Sequence, residues 1–135
     1  MKNLTLFLIL LCLAQVVRAQ DADAGIYTLE QAAVGRDLYL RDCAVCHGAA
    51  LEGAEAGLDL AGRAFRDRWR AMSIGQFFDL TRQTMPVTNP GGLSDTDYAA
   101  IVAFMLNRNG YAPGDRALGG DSAQLADIPF VEPAT

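Results

Sequence analysis

The pentapeptide Cys43-Ala44-Val45-Cys46-His47 constrains this chain more than any other feature. Two thiols separated by two residues, with an imidazole directly after the second, have the spacing of a c-type haem attachment site. At that spacing both sulfurs reach along one edge of a porphyrin, and each can form a thioether with a vinyl group. His47 is then carried under the iron. Covalent attachment prevents loss of the cofactor in a compartment that holds no reserve of it. A ligating imidazole also needs an acceptor for its other ring nitrogen, typically a backbone carbonyl, which fixes the tautomer.

Other chemistries of Cys43, Cys46 and His47 are weaker fits. A structural zinc site needs four ligands, usually cysteine and histidine. His47 is the sole histidine, so a fourth ligand would have to be an unusual carboxylate. A thioredoxin-type redox pair sits beside a βαβ pattern, and no strand pattern precedes Cys43. In an oxidising compartment a disulfide is the default for a cysteine pair. A chance match is the plainest alternative. The motif's place at the end of a helix, in an exported chain whose one other cysteine, Cys12, lies in the expected signal segment, favours haem.

Export is read from the first nineteen residues. Lys2 gives a positive start, Leu4 to Val17 is almost wholly apolar, and Val17-Arg18-Ala19 ends in a small residue before Gln20. This is the pattern of a cleaved signal peptide, residues 1–19, in a periplasmic protein. The apolar run is shorter than the ~20 residues a spanning helix needs. The rival is an uncleaved anchor; after cleavage no stable membrane insertion is expected. Cys12 follows Leu11 rather than a small residue, so it reads as signal filler and not as a lipid-attachment site. What remains has the length of one domain. The full chain of 135 residues has a formal charge of −5, and cleavage would remove Lys2 and Arg18, leaving arginine as its only cationic side chain apart from histidine. Net acidity excludes a nucleic-acid partner, which needs a basic face. It favours solubility and steering toward a basic patch on another protein.

Residues 20–27 read as a polar, flexible leader, and Thr28 opens a helix over Leu29 to about Asp42. Thr28 with Gln31 has the form of a capping box. Ala32, Gly35 and Tyr39 share one helix face. Gly35 costs about 1 kcal/mol against alanine in a helix, which suggests a second helix pressed close. Residues 48–72 are rich in glycine and alanine and read as loop, with short helical turns near Arg63 to Arg70. A loop of this length is uncommon unless functional; wrapping a flat apolar ring would explain it. Ser73 with Gln76 caps a second helix that must end near Met85, because Pro86 disfavours helical geometry at the preceding residue. Ser94 with Asp97 caps a third, about Asp95 to Arg108, apolar from Tyr98 through Leu106 and so buried on most sides. Asn109-Gly110 ends it. The domain therefore spans 28–110, and an extended tail, 111–135, could be pinned by Leu125, Ile128 and Phe130. No alternating run reads as a sheet, so the fold class is all-α.

The sixth iron ligand decides what such a haem does. A second protein ligand blocks small molecules and favours electron transfer, while an empty position allows binding or oxygen chemistry. A thioether opposite histidine raises the reduction potential. Met72 lies just before a helix start, and Met105 lies inside the apolar helix, where core packing is the ordinary role. Met85 is the best candidate, on a constrained loop 38 residues after His47 and directly before Pro86.

With these residues in view, the chain resembles the class I c-type cytochromes. It is especially similar to the small cytochrome domains and subunits that accompany pyrroloquinoline-quinone dehydrogenases. The resemblance runs from about Gly35 to Phe130. It is carried by Cys43 to Gly48, Leu51-Glu52-Gly53, Leu60 to Phe65, Thr84-Met85-Pro86, Pro90 to Asp95, Tyr98 to Phe104 and Asn109-Gly110. It implies a small cytochrome c fold of about three main helices plus haem-wrapping loops. The first and last helices would cross, with Gly35 and Tyr39 against the face that holds Phe104. It implies one haem c bound through Cys43 and Cys46, with His47 and Met85 as axial ligands. One departure is visible: Leu58 stands where the family usually has a proline, whose carbonyl commonly accepts from the ligand histidine. Leu58 still offers a carbonyl, although the loop loses rigidity.

The function implied is one-electron transfer, not enzymatic catalysis. The redox partners would be a periplasmic dehydrogenase or quinol-oxidising complex on one side, and an oxidase or other cytochrome of a respiratory chain on the other. The alternatives are a haem subunit fixed in a dehydrogenase complex, and a haem enzyme or gas binder with an open iron site. Arg63, Arg66, Arg68 and Arg70 form a basic cluster with three readings. They pair with haem propionates alongside the Trp69 indole N–H, they form a solvated turn, or they dock an acidic partner.

Overall fold

The computed structural model describes residues 25–54 and 56–130. The expected signal segment, 1–19, lies outside the described residues. Six helices form among these: α1 Leu29–Asp42, α2 Ala44–His47, α3 Gly62–Trp69, α4 Ile74–Thr84, α5 Asp95–Arg108 and α6 Ser122–Leu125. No strand forms among the described residues, where only isolated bridges, Ala54 with Gly57 and Ser73 with Pro129, are found. The all-α class expected from the sequence holds. The helical turns expected near Arg63 to Arg70 are a two-turn helix, α3.

Each long helix starts where its cap residue stands. Thr28 Oγ1 accepts from Gln31 N at 3.1 Å. Ser94 Oγ accepts from Asp97 N at 3.1 Å. At Ser73 both halves of a capping box are made, so helix-start amides are satisfied from both directions. At Thr28 only half of the expected box forms. The Gln31 side chain instead donates to Leu118 O at 2.8 Å and accepts from Leu118 N at 2.7 Å. A distant backbone amide and carbonyl, both otherwise in need of partners, outcompete the local one.

Among the described helices, α1 and α5 make the most extensive contact. The crossing is centred on Gly35, where any Cβ would overlap the Ala100 carbonyl oxygen. Tyr39 packs on Phe104 with ring centroids 5.3 Å apart. All nine residues from Tyr98 to Leu106 are buried, which explains why α5 shows no polar stripe over that span.

As far as Phe130, the tail is part of the core. Leu125 and Phe130 are buried, and Ile128 packs against them. Phe130 stacks edge-on against Phe77 at 5.4 Å and Tyr111 at 5.8 Å. Its strand-like end is held by Ile74 N donating to Ile128 O at 2.7 Å. The flexible leader expected over 20–27 needs correcting at its end. Tyr27 is fully buried, its hydroxyl donates to Tyr111 O, and its carbonyl accepts from Gly114 N at 2.7 Å. An aromatic ring with a long-range backbone partner is fixed, whatever the polarity of the residues before it.

Candidate functional site

Helix α1 ends at Asp42, and the chain turns at once into α2. Cys43 N still donates to Tyr39 O, while Cys46 N and His47 N both return to Cys43 O at 3.1 and 3.0 Å. One tight turn therefore carries both thiols and the imidazole. The Tyr39 hydroxyl donates to Gly48 O at 2.7 Å, tying the end of that turn to the α1–α5 interface.

The following loop folds behind His47. Gly53 N donates to His47 O at 2.8 Å. His47 Nδ1 lies 2.8 Å from Leu58 O, the carbonyl anticipated from the sequence. With Nδ1–H as the donor, Nε2 keeps the lone pair that a metal requires. Gly57 makes this approach possible: a Cβ there would overlap Cys46 O and stand 2.9 Å from His47 Nδ1.

Met85 arrives from the other side of the chain. It is the C-cap of α4, with extended backbone (φ −125°, ψ 152°), as a residue before proline should be. Its N–H donates to Thr81 O at 2.9 Å, and its carbonyl accepts from the Tyr98 hydroxyl at 2.6 Å.

These residues meet around one cavity of about 260 Å³. Cys43, Cys46, His47 and Met85 all line it, with Leu58, Leu60, Trp69, Phe77, Leu80 and Ile101 as apolar walls. Met105 also lines it, from within the buried run of α5, whereas Met72 does not. The walls suit a flat apolar ring. Trp69 adds a second indication: its Nε1–H is buried and has no partner among the described residues. A buried donor left unpaired costs about 1–3 kcal/mol, so an acceptor on the group that fills the cavity would satisfy it. A porphyrin with carboxylate side chains has both properties. None of Arg63, Arg66, Arg68 and Arg70 lines the cavity. Arg63 is 88% exposed and reaches Asp67, and Arg68 reaches Asp59 at 3.2 Å.

Cys43 and Cys46 are not joined in a disulfide. Burial pushes the Cys43 thiol up to about 11, and Asp42 adds to the rise. A redox-active dithiol needs a lowered value. No cluster of three His, Cys, Asp or Glu side chains able to hold a bare metal ion occurs among the described residues.

Two residues that position the site were not singled out for that role from sequence. Tyr98 read simply as core. Asn109 read as a helix terminator, yet it is buried and saturated. Its Nδ2 donates to Leu60 O at 2.9 Å and Met105 O at 2.8 Å, and its Oδ1 accepts from Gly62 N at 2.9 Å. It thereby fixes the turn that launches α3 and aims Phe65 and Trp69 inward. A polar residue closing a long apolar run was the available signal. Asn109→Ala is expected to cost about 2–3 kcal/mol, since it strands several buried groups. Thermal unfolding of the haem-loaded protein would measure that loss.

Residues 30–105, more than half of the chain, match the family described as cytochrome c oxidase, cbb3-type, subunit III. The chain belongs to this cytochrome c family. Cytochrome c domains carry covalently bound haem c and transfer electrons, and the size of this one accommodates a single haem. The fold is also similar to the crystal structure of the sulfane dehydrogenase SoxCD from Paracoccus pantotrophus. The TM-score is 0.53 with 26% identity, over 82% of this chain and 61% of that one. This cytochrome thus spans about three-fifths of the matched chain's length. No curated protein sequence matches it at a significant level. Among the described residues no helix is long and apolar enough to cross a membrane.

Proposed function

We propose that this cytochrome is an exported, periplasmic electron carrier whose haem is tethered through Cys43 and Cys46 and ligated by His47 and Met85. The observation that carries the reading is the convergence of these four side chains, from two distant segments, on one apolar cavity. Met85 is preferred to Met105 because it stands at a helix end, on a backbone that α4 and α5 both hold. Met105 lies within the buried core run of α5. A thioether–imidazole pair keeps the same six ligands in both oxidation states, so little rearrangement accompanies transfer.

The cavity rim supports the same reading. Leu58, Leu80 and Val87 line the cavity and yet are 55%, 38% and 72% exposed. An apolar rim around a redox group lets another redox protein approach closely without desolvating charge. The partner on the donor side would be a dehydrogenase or quinol-oxidising complex, and on the acceptor side an oxidase or another cytochrome. The likeness to a chain of SoxCD supports a second reading, a subunit held within a dehydrogenase complex.

Three measurements test the proposal. A pyridine haemochrome assay should give one haem c per chain. The reduced protein should bind carbon monoxide slowly and incompletely at neutral pH; rapid, complete binding would mean an open iron site and overturn the carrier reading. Gel filtration of a native extract, followed at haem absorbance, separates a free carrier from a bound subunit.

A further inference from the structure

The run from Tyr98 to Leu106 in α5 contains one hydroxyl, that of Tyr98. Tyr98 is 1% exposed, so the hydroxyl must find a partner within the protein. Its partner is the carbonyl of Met85, at 2.6 Å. The other backbone polar group of Met85 is spent within its own helix, on Thr81 O at 2.9 Å. Beyond Met85 the loop holds itself only locally: Asn89 N donates to Pro86 O, and Gly92 N to Asn89 O. Residues 87–92 are exposed. Among the hydrogen bonds of residues 85–92, the one from Tyr98 is therefore the tether that crosses to another element.

We propose that Tyr98 is a positioning residue whose hydroxyl holds the Met85 loop against the cavity and thereby keeps the sixth iron position closed. This rests on the reading of Met85 as an axial ligand. The hydroxyl's hydrogen bond is to the Met85 carbonyl, and it acts through that backbone. Its bond exists with the loop seated and is forfeited when the loop drifts, so it favours the seated state by its own net strength. A buried neutral hydrogen bond of this kind shifts an equilibrium about threefold to tenfold.

The test uses the full, haem-loaded chain in the ferric state, titrated with imidazole. Imidazole takes the sixth position only by displacing the protein's ligand, and loss of the red thioether-to-iron charge-transfer band reports it. Tyr98→Phe should raise the apparent imidazole affinity about threefold to tenfold. Tyr27→Phe is the control. It deletes an equally buried hydroxyl that donates to a different backbone carbonyl, Tyr111 O, and also accepts from Asn107 Nδ2. It should lower thermal stability at least as much and leave imidazole affinity within about twofold of wild type, as expected of bonds remote from the loop. Met85→Ala should lack the band and bind imidazole most tightly. Unchanged affinity in Tyr98→Phe beside raised affinity in Met85→Ala would overturn the role of Tyr98 alone, as would equal gains in Tyr98→Phe and Tyr27→Phe. A retained band with unchanged affinity in Met85→Ala would overturn the ligand reading and this inference with it.

Discussion

Met85→Ala is expected to leave the haem covalently attached and the helices folded, while the reduction potential falls by on the order of 100 mV, part of the roughly 0.8 V that axial ligands span. The fold should survive because the backbone of Met85 is held independently of its side chain, by Thr81 O and by the Tyr98 hydroxyl. Attachment should survive because Cys43 and Cys46 sit on a separate turn. What disappears is the thioether, the ligand type that raises potential opposite histidine. The opened position should also admit carbon monoxide rapidly in the reduced state. Redox potentiometry with visible spectra checks both effects. An unchanged potential would remove Met85 from the ligand set.

Gly35→Ala should lower stability by about 3 kcal/mol or more, the upper end of the overpacking range. Judged by helix propensity alone, the same substitution would gain about 1 kcal/mol. The sign reverses because the added methyl would overlap the Ala100 carbonyl oxygen. That oxygen belongs to helix backbone and cannot rotate away. Helix α1 must then withdraw from α5, loosening the Tyr39–Phe104 contact and the Tyr39–Gly48 bond behind the turn that carries Cys43, Cys46 and His47. The melting temperature of the haem-loaded protein should fall by on the order of 10 °C. A variant as stable as the parent would show that the helices do not meet at this point.

Much of the fold was legible because its signals are local. Thr28, Ser73 and Ser94 each accept the hydrogen bond that starts a helix, and Pro86 stops one at Met85. The pressed glycine was legible too, since Gly35 has a cost that only close packing offsets. The expectations that changed depend on distant partners. Gln31 leaves its capping box for Leu118, 87 residues away. Tyr27, expected in a flexible leader, is buried against Tyr111 and the segment before Gly114. For Arg63, Arg66, Arg68 and Arg70 the sequence left three readings open; none of them lines the cavity, whereas Trp69 does. One turn of helix separates those outcomes, and sequence spacing does not state which face a short helix turns inward.

The amino-acid sequence by itself determined the chemistry on offer: two thiols and an imidazole in one turn, a methionine stiffened by the proline after it, and three capped helices with apolar faces. Each is a property of residues a few positions apart, where steric and hydrogen-bonding preferences act without reference to the rest of the chain. Tertiary structure alone decided that Met85 shares a cavity with His47, that Tyr98 holds its carbonyl, that Asn109 pins the turn before α3, and that the tail closes the core. Those facts depend on which buried polar groups find each other across long stretches of chain. That pairing is settled only when burial removes water as the competing partner.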